Sequence, residues 1–334
     1  MSQHRSILPP TGRIMLVLFV AVATGLAYPW QSTRDRWVLG IAIGVVIMLA
    51  AWWRGLPLTT ILRRRLAILR PKRGARPVRG SGTDVRATAL LRIAPPEADP
   101  DVLPLALIAQ YVDRYGLRAD AIRVTSRDTA SDTGVLQRET WIGLTLSAAD
   151  NLAALQARSS LIPLHKTAEV AVRRLADHLR ETGWTGSIVE PDDIPRLHAP
   201  SAREKWRGIR QGSADYVAAY RVKVDAALPN TFAAIWSYPV REAWTALEIA
   251  GAGADQTLAV ACAFRTDTRP GPGGPLPGLT SQIGNHRRAL TALYPASTQR
   301  LDGHAALPGE LLTRLRWPSA IQQRSMSRHA AVAD

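Results

Sequence analysis

Two uncharged apolar runs, residues 14–30 and 37–53, stand almost back to back near the start of the chain, and nothing else in the sequence restricts its fold so strongly. Each is 17 residues long. As a helix rising 1.5 Å per residue such a run spans roughly 25 Å, near the lower limit for a hydrocarbon core of about 30 Å. The connector Gln31-Ser32-Thr33-Arg34-Asp35-Arg36 is so short that the second run must turn straight back, which predicts a two-helix transmembrane hairpin. Tyr28, Trp30, Trp37, Trp52 and Trp53 stand at the run ends, where amphipathic rings prefer the headgroup level. Gly25-Leu26-Ala27 also carries the small residues of a signal-peptidase site. A second apolar run starting ten residues later, with basic residues behind it, favours an uncleaved hairpin.

Charge orients the hairpin. Arg5 and Arg13 precede it, and Arg54, Arg63, Arg64, Arg65, Arg70, Lys72, Arg73, Arg76 and Arg79 follow it with no acid among them. Cytoplasmic flanks carry the excess of Lys and Arg, so both termini are expected in the cytoplasm and the chain in the cell inner membrane. The formal net charge is +15, of which +12 lies before residue 81, leaving +3 for the other 254 residues. A basic surface spread over the whole chain would point to nucleic acid; a juxtamembrane belt points instead to anionic inner-leaflet lipid, attracted at about 1 kcal/mol per residue. Arg54, Arg63, Arg64, Arg65, Arg70, Lys72 and Arg73 are the expected lipid contacts, and no nucleic-acid partner is expected. Leu58, Ile61, Leu62, Leu66 and Leu69 recur at helical spacing behind Pro57 at a first helical position. That segment reads either as an interfacial helix or as a cytoplasmic extension of the second span. Within that span Gly40 and Gly44 form a small-xxx-small pattern that lets another helix approach closely.

The expected organisation is a cytoplasmic N-terminus (1–13), the hairpin (14–53), a basic juxtamembrane segment and linker (54–83), an α/β (α+β) cytoplasmic domain (84–317) and a disordered tail (318–334). Within the domain, alternation predicts strands at 85–93, 121–126, 140–146 and 186–190, and helical spacing predicts helices at 101–115, 150–158 and 167–182. The polar stretch 128–139 reads as a loop. The resulting βαββααβ order resembles a split βαβ unit with helices on one face of a sheet. A related pattern follows, with strands at 217–224, 243–249 and 257–265, a helix at 230–238 and a Pro/Gly loop at 269–278, so the domain divides into two related halves on this reading. The single cysteine, Cys262, excludes an intramolecular disulfide and sits in an apolar run.

Catalytic patterns are sparse. The sequence has no Gly-Lys-Ser/Thr phosphate loop, HExxH, CxxC or GxSxG. Its seven histidines include no pair at i, i+3 or i, i+4, and no cofactor is expected. Asp99-Pro100-Asp101 has the DxD spacing that can hold a divalent ion and a sugar nucleotide, which gives an alternative reading as a membrane-bound glycosyltransferase-like enzyme. The same residues precede an apolar-periodic stretch, where Asp caps a helix and complements its dipole. Asp192-Asp193 reads as an exposed loop pair. Trp184, Trp206 and Trp244 are candidates both for partner contacts and for the core.

More specific wording runs through the block from Trp141-Ile142-Gly143-Leu144-Thr145-Leu146 to Asp150-Asn151-Leu152, then Ile162-Pro163-Leu164, Arg173-Arg174-Leu175 and Gly183-Trp184. With Pro29-Trp30-Gln31, Ala51-Trp52-Trp53, Ala218-Ala219-Tyr220-Arg221 and Trp244-Thr245-Ala246, it resembles the EccE family, a membrane component of the mycobacterial type VII, or ESX, secretion system. The resemblance extends over residues 13–305 and is nearest to the paralogue associated with iron and zinc homeostasis. It implies an inner-membrane complex with EccB, the ATPase EccC and EccD, two N-terminal membrane helices, and a cytoplasmic fold similar to a degenerate glycosyltransferase. It assigns no catalytic residue here, and the expected role is a non-enzymatic scaffold.

Overall fold

The computed structural model describes residues 85–95, 102–130, 136–158, 163–307 and 310–318, and beyond these only Trp52, Trp53, Leu56, Pro57 and Arg65. The chain divides into two units, Met1–Pro71 and Lys72–Asp334. In the first, strands β1 (Trp52–Trp53) and β2 (Leu56–Pro57) pair antiparallel, Trp52 opposite Pro57 and Trp53 opposite Leu56. The end of the second apolar run and Pro57, both expected to be helical, are therefore extended. The proline ring disfavours the α region for Leu56 before it, which pushes that residue toward extended backbone. The rest of the expected hairpin, 14–30 and 37–51 with Gly40 and Gly44, lies outside the described residues. Among the described residues no helix is long and apolar enough to cross a membrane.

The second unit is an α+β domain built on one antiparallel sheet. Its strands are β3 (Arg86–Ala94), β4 (Asp113–Arg114), β5 (Leu117–Ala130), β6 (Leu136–Ser147), β7 (Thr185–Ile188), β8 (Arg203–Lys205), β9 (Gly208–Gln211), β10 (Asp215–Val222), β11 (Glu242–Ala250), β12 (Thr257–Thr266), β13 (Leu279–Ser281) and β14 (Ala305–Ala306). The spatial order is β7-β3-β6-β5-β11-β12-β10-β9-β8, with β13 also on β10, β14 on β12 and β4 on β5. The set β7-β3-β6-β5 and the set β13-β10-β12-β11 each run fourth-first-third-second in chain order. Their second strands, β5 and β11, pair along eight residues from Ile122↔Ile249 to Thr129↔Glu242 and join the sets into one sheet.

The helices are α1 (Leu105–Ala109), α2 (Leu152–Gln156), α3 (Leu164–Glu181), α4 (Leu228–Trp236), α5 (His286–Leu293) and α6 (Leu311–Arg314). The longest, α3, buries Leu164, Ala168, Ala171, Val172, Leu175 and Leu179, a stripe at three- and four-residue spacing. It stops at Gly183, whose φ of 89° lets the Trp184 amide reach back to the Leu179 carbonyl. In the second set the corresponding connection, from β12 to β13, contains no helix; it is the loop Pro270-Gly271-Pro272-Gly273-Gly274-Pro275 with its flanks.

Two expectations are corrected. In the predicted loop 128–139 the described residues, 128–130 and 136–139, are strand, because its charges pair across the ladder. Arg138 grips both oxygens of Asp128, directly opposite, at 2.6 and 2.8 Å, and Arg127 faces Glu139 at 3.3 Å. The predicted helix 101–115 shrinks to α1 and a 3-10 turn at Gln110–Val112, since the chain beyond reverses into β4 and pairs with the start of β5. Pro318, expected to open the tail, bridges Val102 and accepts a hydrogen bond from Arg138.

Both faces of the sheet are covered. On one, Ile122, Val124, Ile142 and Leu144 meet α3, α4 and α6. On the other, Leu90, Trp141, Trp244, Ala246 and Val217 meet α5 and the segment carrying Ile194 and Leu197. The indoles of Trp141 and Trp244 stack at 5.7 Å with planes 13° apart.

Candidate interaction surface

Strand β4 enters β5 through a two-residue turn, Tyr115-Gly116, with Arg114 opposite Leu117. Both turn residues are left-handed, φ 57° at Tyr115 and 70° at Gly116. Tight hairpins of this kind favour Asn-Gly or Asp-Gly, because a residue with a large side chain is strained at positive φ. Here a tyrosine occupies the strained place, 52% exposed, and it is the only described non-glycine residue with positive φ.

Arginines gather around it. The Arg114 guanidinium lies 5.1 Å from the Tyr115 ring and 4.9 Å from the Tyr111 ring, and that of Arg174, from α3, lies 4.8 Å from the Tyr115 ring. These are cation–π distances. Tyr111 packs edge-on to Tyr115 and donates its hydroxyl to the Arg174 carbonyl at 3.0 Å. Burial, reinforced by Tyr115, raises the Tyr111 phenol to about 12, so the hydroxyl stays a donor. Arg114 also donates to Gln110 at 3.1 Å and lies 3.4 Å from His178 Nδ1. His178, on α3, thus forms one wall of an arginine–tyrosine cluster.

Other charged groups are committed to structure. Arg123, 4% exposed, donates through Nε to Glu248 at 2.9 Å and through its terminal nitrogens to the carbonyls of Tyr294, Ser297 and Gln299. Glu248, fully buried, also accepts from the Leu301 amide at 3.2 Å and pairs with His304 at 2.9 Å. Burial alone would raise its carboxyl, but His304 and Arg123 outweigh that and hold it below the ordinary carboxylate value. A second row crosses the same face: Arg92 to Glu139 at 2.8 Å, Arg127 to Glu242 at 2.7 Å, Arg265 to Glu242 at 3.1 Å. Burial pushes the Cys262 thiol well up, which suits an inert core residue.

The residues singled out from sequence fare differently. Arg65 is helical and exposed. Arg54, Arg63, Arg64, Arg70, Lys72, Arg73, Asp99 and Asp101 lie outside the described residues. Asp193 caps a 3-10 turn by accepting from the Glu190 amide at 3.2 Å. Trp184 and Trp244 are core residues, 3% and 2% exposed, and Trp206 is half-buried. Among the described residues no group of three His, Cys, Asp or Glu could hold a metal ion. Sequence reasoning missed Tyr115 because Tyr-Gly after a periodic stretch reads as a helix end. The signal that could have exposed it is the strand starting at once behind the glycine.

The family model described as "Putative type VII ESX secretion system translocon, EccE" matches residues 135–222, which correspond to β6 through β10. An "ESX-3 secretion system protein EccE3" of Mycobacterium tuberculosis is 57% identical over 314 residues, 93% of this chain and 93% of that protein. A protein of the same description from Mycolicibacterium smegmatis is 49% identical over 308 residues, 92% of this chain and 95% of its own length.

Proposed function

The chain belongs to the EccE family of type VII (ESX) secretion-system components, and we propose that it serves the ESX-3 system as a non-enzymatic scaffold. In this reading the apolar runs 14–30 and 37–53 anchor it as a multi-pass protein of the inner membrane, with both termini cytoplasmic. The α+β domain presents a surface to the neighbouring subunits EccB, EccC and EccD. Gly40 and Gly44 serve helix packing within the membrane, and Arg54, Arg63, Arg64, Arg65, Arg70, Lys72 and Arg73 meet anionic lipid.

The observation that carries this reading is the 57% identity over 93% of both chains to an ESX-3 secretion-system protein. The use of charge within the domain supports it. Arg123, Glu248, Arg127, Glu242 and Arg265 hold one another and backbone carbonyls, while Arg114 and Arg174 gather around an exposed aromatic ring. Tyrosine and arginine dominate protein interfaces because each combines large contact area with directional bonding. The test is gentle solubilisation of membranes carrying a tagged copy of the full chain. EccB, EccC and EccD are expected to be recovered with it; a chain recovered alone would refute the scaffold.

A further inference from the structure

Building on the scaffold reading, we infer that Tyr111, Arg114, Tyr115 and Arg174 form a docking site for an acidic segment of a neighbouring protein subunit. The first argument is strain. Asparagine in place of Tyr115 would fit the turn better, so a half-exposed tyrosine there spends stability on display. The second is the state of the arginines. Their neighbours on α3, Arg173 and Arg180, pair with Glu169 at 3.5 Å and Asp177 at 2.7 Å. Among the described residues, Arg114 and Arg174 have no carboxylate within ion-pair distance; they stack on tyrosine rings instead. A guanidinium held over an aromatic ring has already lost much of its rotamer freedom, so forming the two-pronged bond to a carboxylate costs less ordering.

The third argument separates a protein segment from a membrane surface. Asp113, Asp177 and Glu181 are exposed in the same neighbourhood, on β4 and α3, and the Glu181 charge is felt at Tyr111. A broad anionic bilayer would press against those carboxylates as well as the arginines. A single acidic strand or loop can lie along the two guanidiniums and avoid them. The site is thus selective for carboxylates spaced to meet Arg114 and Arg174, which both lie against the Tyr115 ring.

The experiment uses the full chain in its native membrane, with a photoreactive benzoylphenylalanine at position 115. Illumination is expected to join it to a protein subunit of the secretion assembly, at a peptide containing or adjoining clustered Asp or Glu. The double substitution Arg114→Glu with Arg174→Glu is expected to cut recovery of that subunit by about tenfold or more, the scale of a lost interface hot spot. Tyr115→Asn, which keeps the turn, is expected to reduce recovery without lowering the melting temperature, and it serves as the reference should charge reversal unfold the domain. Crosslinking to lipid alone, crosslinking to a segment without acidic residues, or recovery unchanged in a folded variant would overturn the docking site and leave the scaffold standing. Wild-type chain recovered without any secretion subunit would overturn the scaffold itself.

Discussion

The two faces of the sheet are buried by different means. On the face under α3 the contacts are mainly apolar, Val124, Ile142 and Leu144 against Val172, Leu175 and Leu179, with the Arg138–Asp128 pair at one end. On the opposite face buried charges cross the strands: Arg123 with Glu248, and Arg127 and Arg265 with Glu242, beside the stacked Trp141 and Trp244. A strand alternating apolar and polar residues usually sets its polar side in water. β5 follows that alternation, with Ile122 and Val124 on one side and Arg123, Thr125 and Arg127 on the other, yet both sides are covered. Alternation therefore identifies the strand and not what lies above it. Charges on the second side are tolerated because each meets an opposite charge, a carbonyl or an amide.

The sharpest way to break this comparison is to leave one buried charge alone. Glu248→Ala strands Arg123 at 4% exposure, and losing one partner of such a pair costs about 3–5 kcal/mol. Denaturant unfolding of the solubilised chain, followed by tryptophan fluorescence, should show that loss. The double substitution Arg123→Leu with Glu248→Leu should cost distinctly less, since no charge is then left without its partner. Acid gives an independent check. With its carboxyl held below the ordinary value of 4.5 in the folded state, Glu248 contributes stability that is fully present above pH 4.5 and is lost as the pH falls toward the depressed value. Stability of the wild type should decline through that acid range, and Glu248→Gln should flatten the decline.

The apolar face yields to a different change. Leu175, completely buried in α3, should cost about 3 kcal/mol when cut to alanine, and that cost should not change through the acid range below pH 4.5 in which Glu248 takes up its proton. Comparable losses, one falling away in acid and the other not, would establish that the two faces rest on different physics. An acid-dependent Leu175→Ala effect would remove the distinction.

The sequence carried the strands and helices more plainly than their connections. Strands at 85–93, 217–224, 243–249 and 257–265 fall within one to two residues of β3, β10, β11 and β12 at each end, because alternation is a local property. The stretch 128–139 was misread since Arg127, Asp128, Arg138 and Glu139 look solvated until each is placed opposite its partner in the hairpin. The link between Arg123 and Glu248 spans 125 positions, and no local pattern announces it. Tyr115 was hidden for a related reason: its strain exists only once β4 and β5 are known to pair. Long-range pairing decides which polar residues are structural and which remain for partners.

A smaller effect sharpens the contrast between strain and packing. Tyr115→Asn should stabilise the domain by about 1 kcal/mol through relief of the left-handed backbone, less whatever the Arg114 and Arg174 stacking contributes. A modest rise in melting temperature is the expected reading. A fall of several degrees would mean that the cluster supports the fold rather than displaying a surface.

The smallest effect belongs to a pair whose distance alone would rank it with the buried ones. Arg180 meets Asp177 at 2.7 Å on the outer side of α3, a separation comparable to the 2.9 Å from Arg123 Nε to Glu248. Yet its side chains are 63% and 65% exposed, against 5% and 0% for Arg123 and Glu248. Water screens the exposed pair, and two long side chains give up rotamer freedom to form it, so such bridges contribute only about 0.2–1 kcal/mol. Asp177→Ala should therefore move the unfolding midpoint by less than about 0.5 kcal/mol, and that shift should vanish at 1 M salt. Glu248→Ala should keep nearly its full cost at the same salt, because its pair lies beyond the reach of mobile ions. If the two substitutions respond to salt alike, burial is not what separates the two ion pairs.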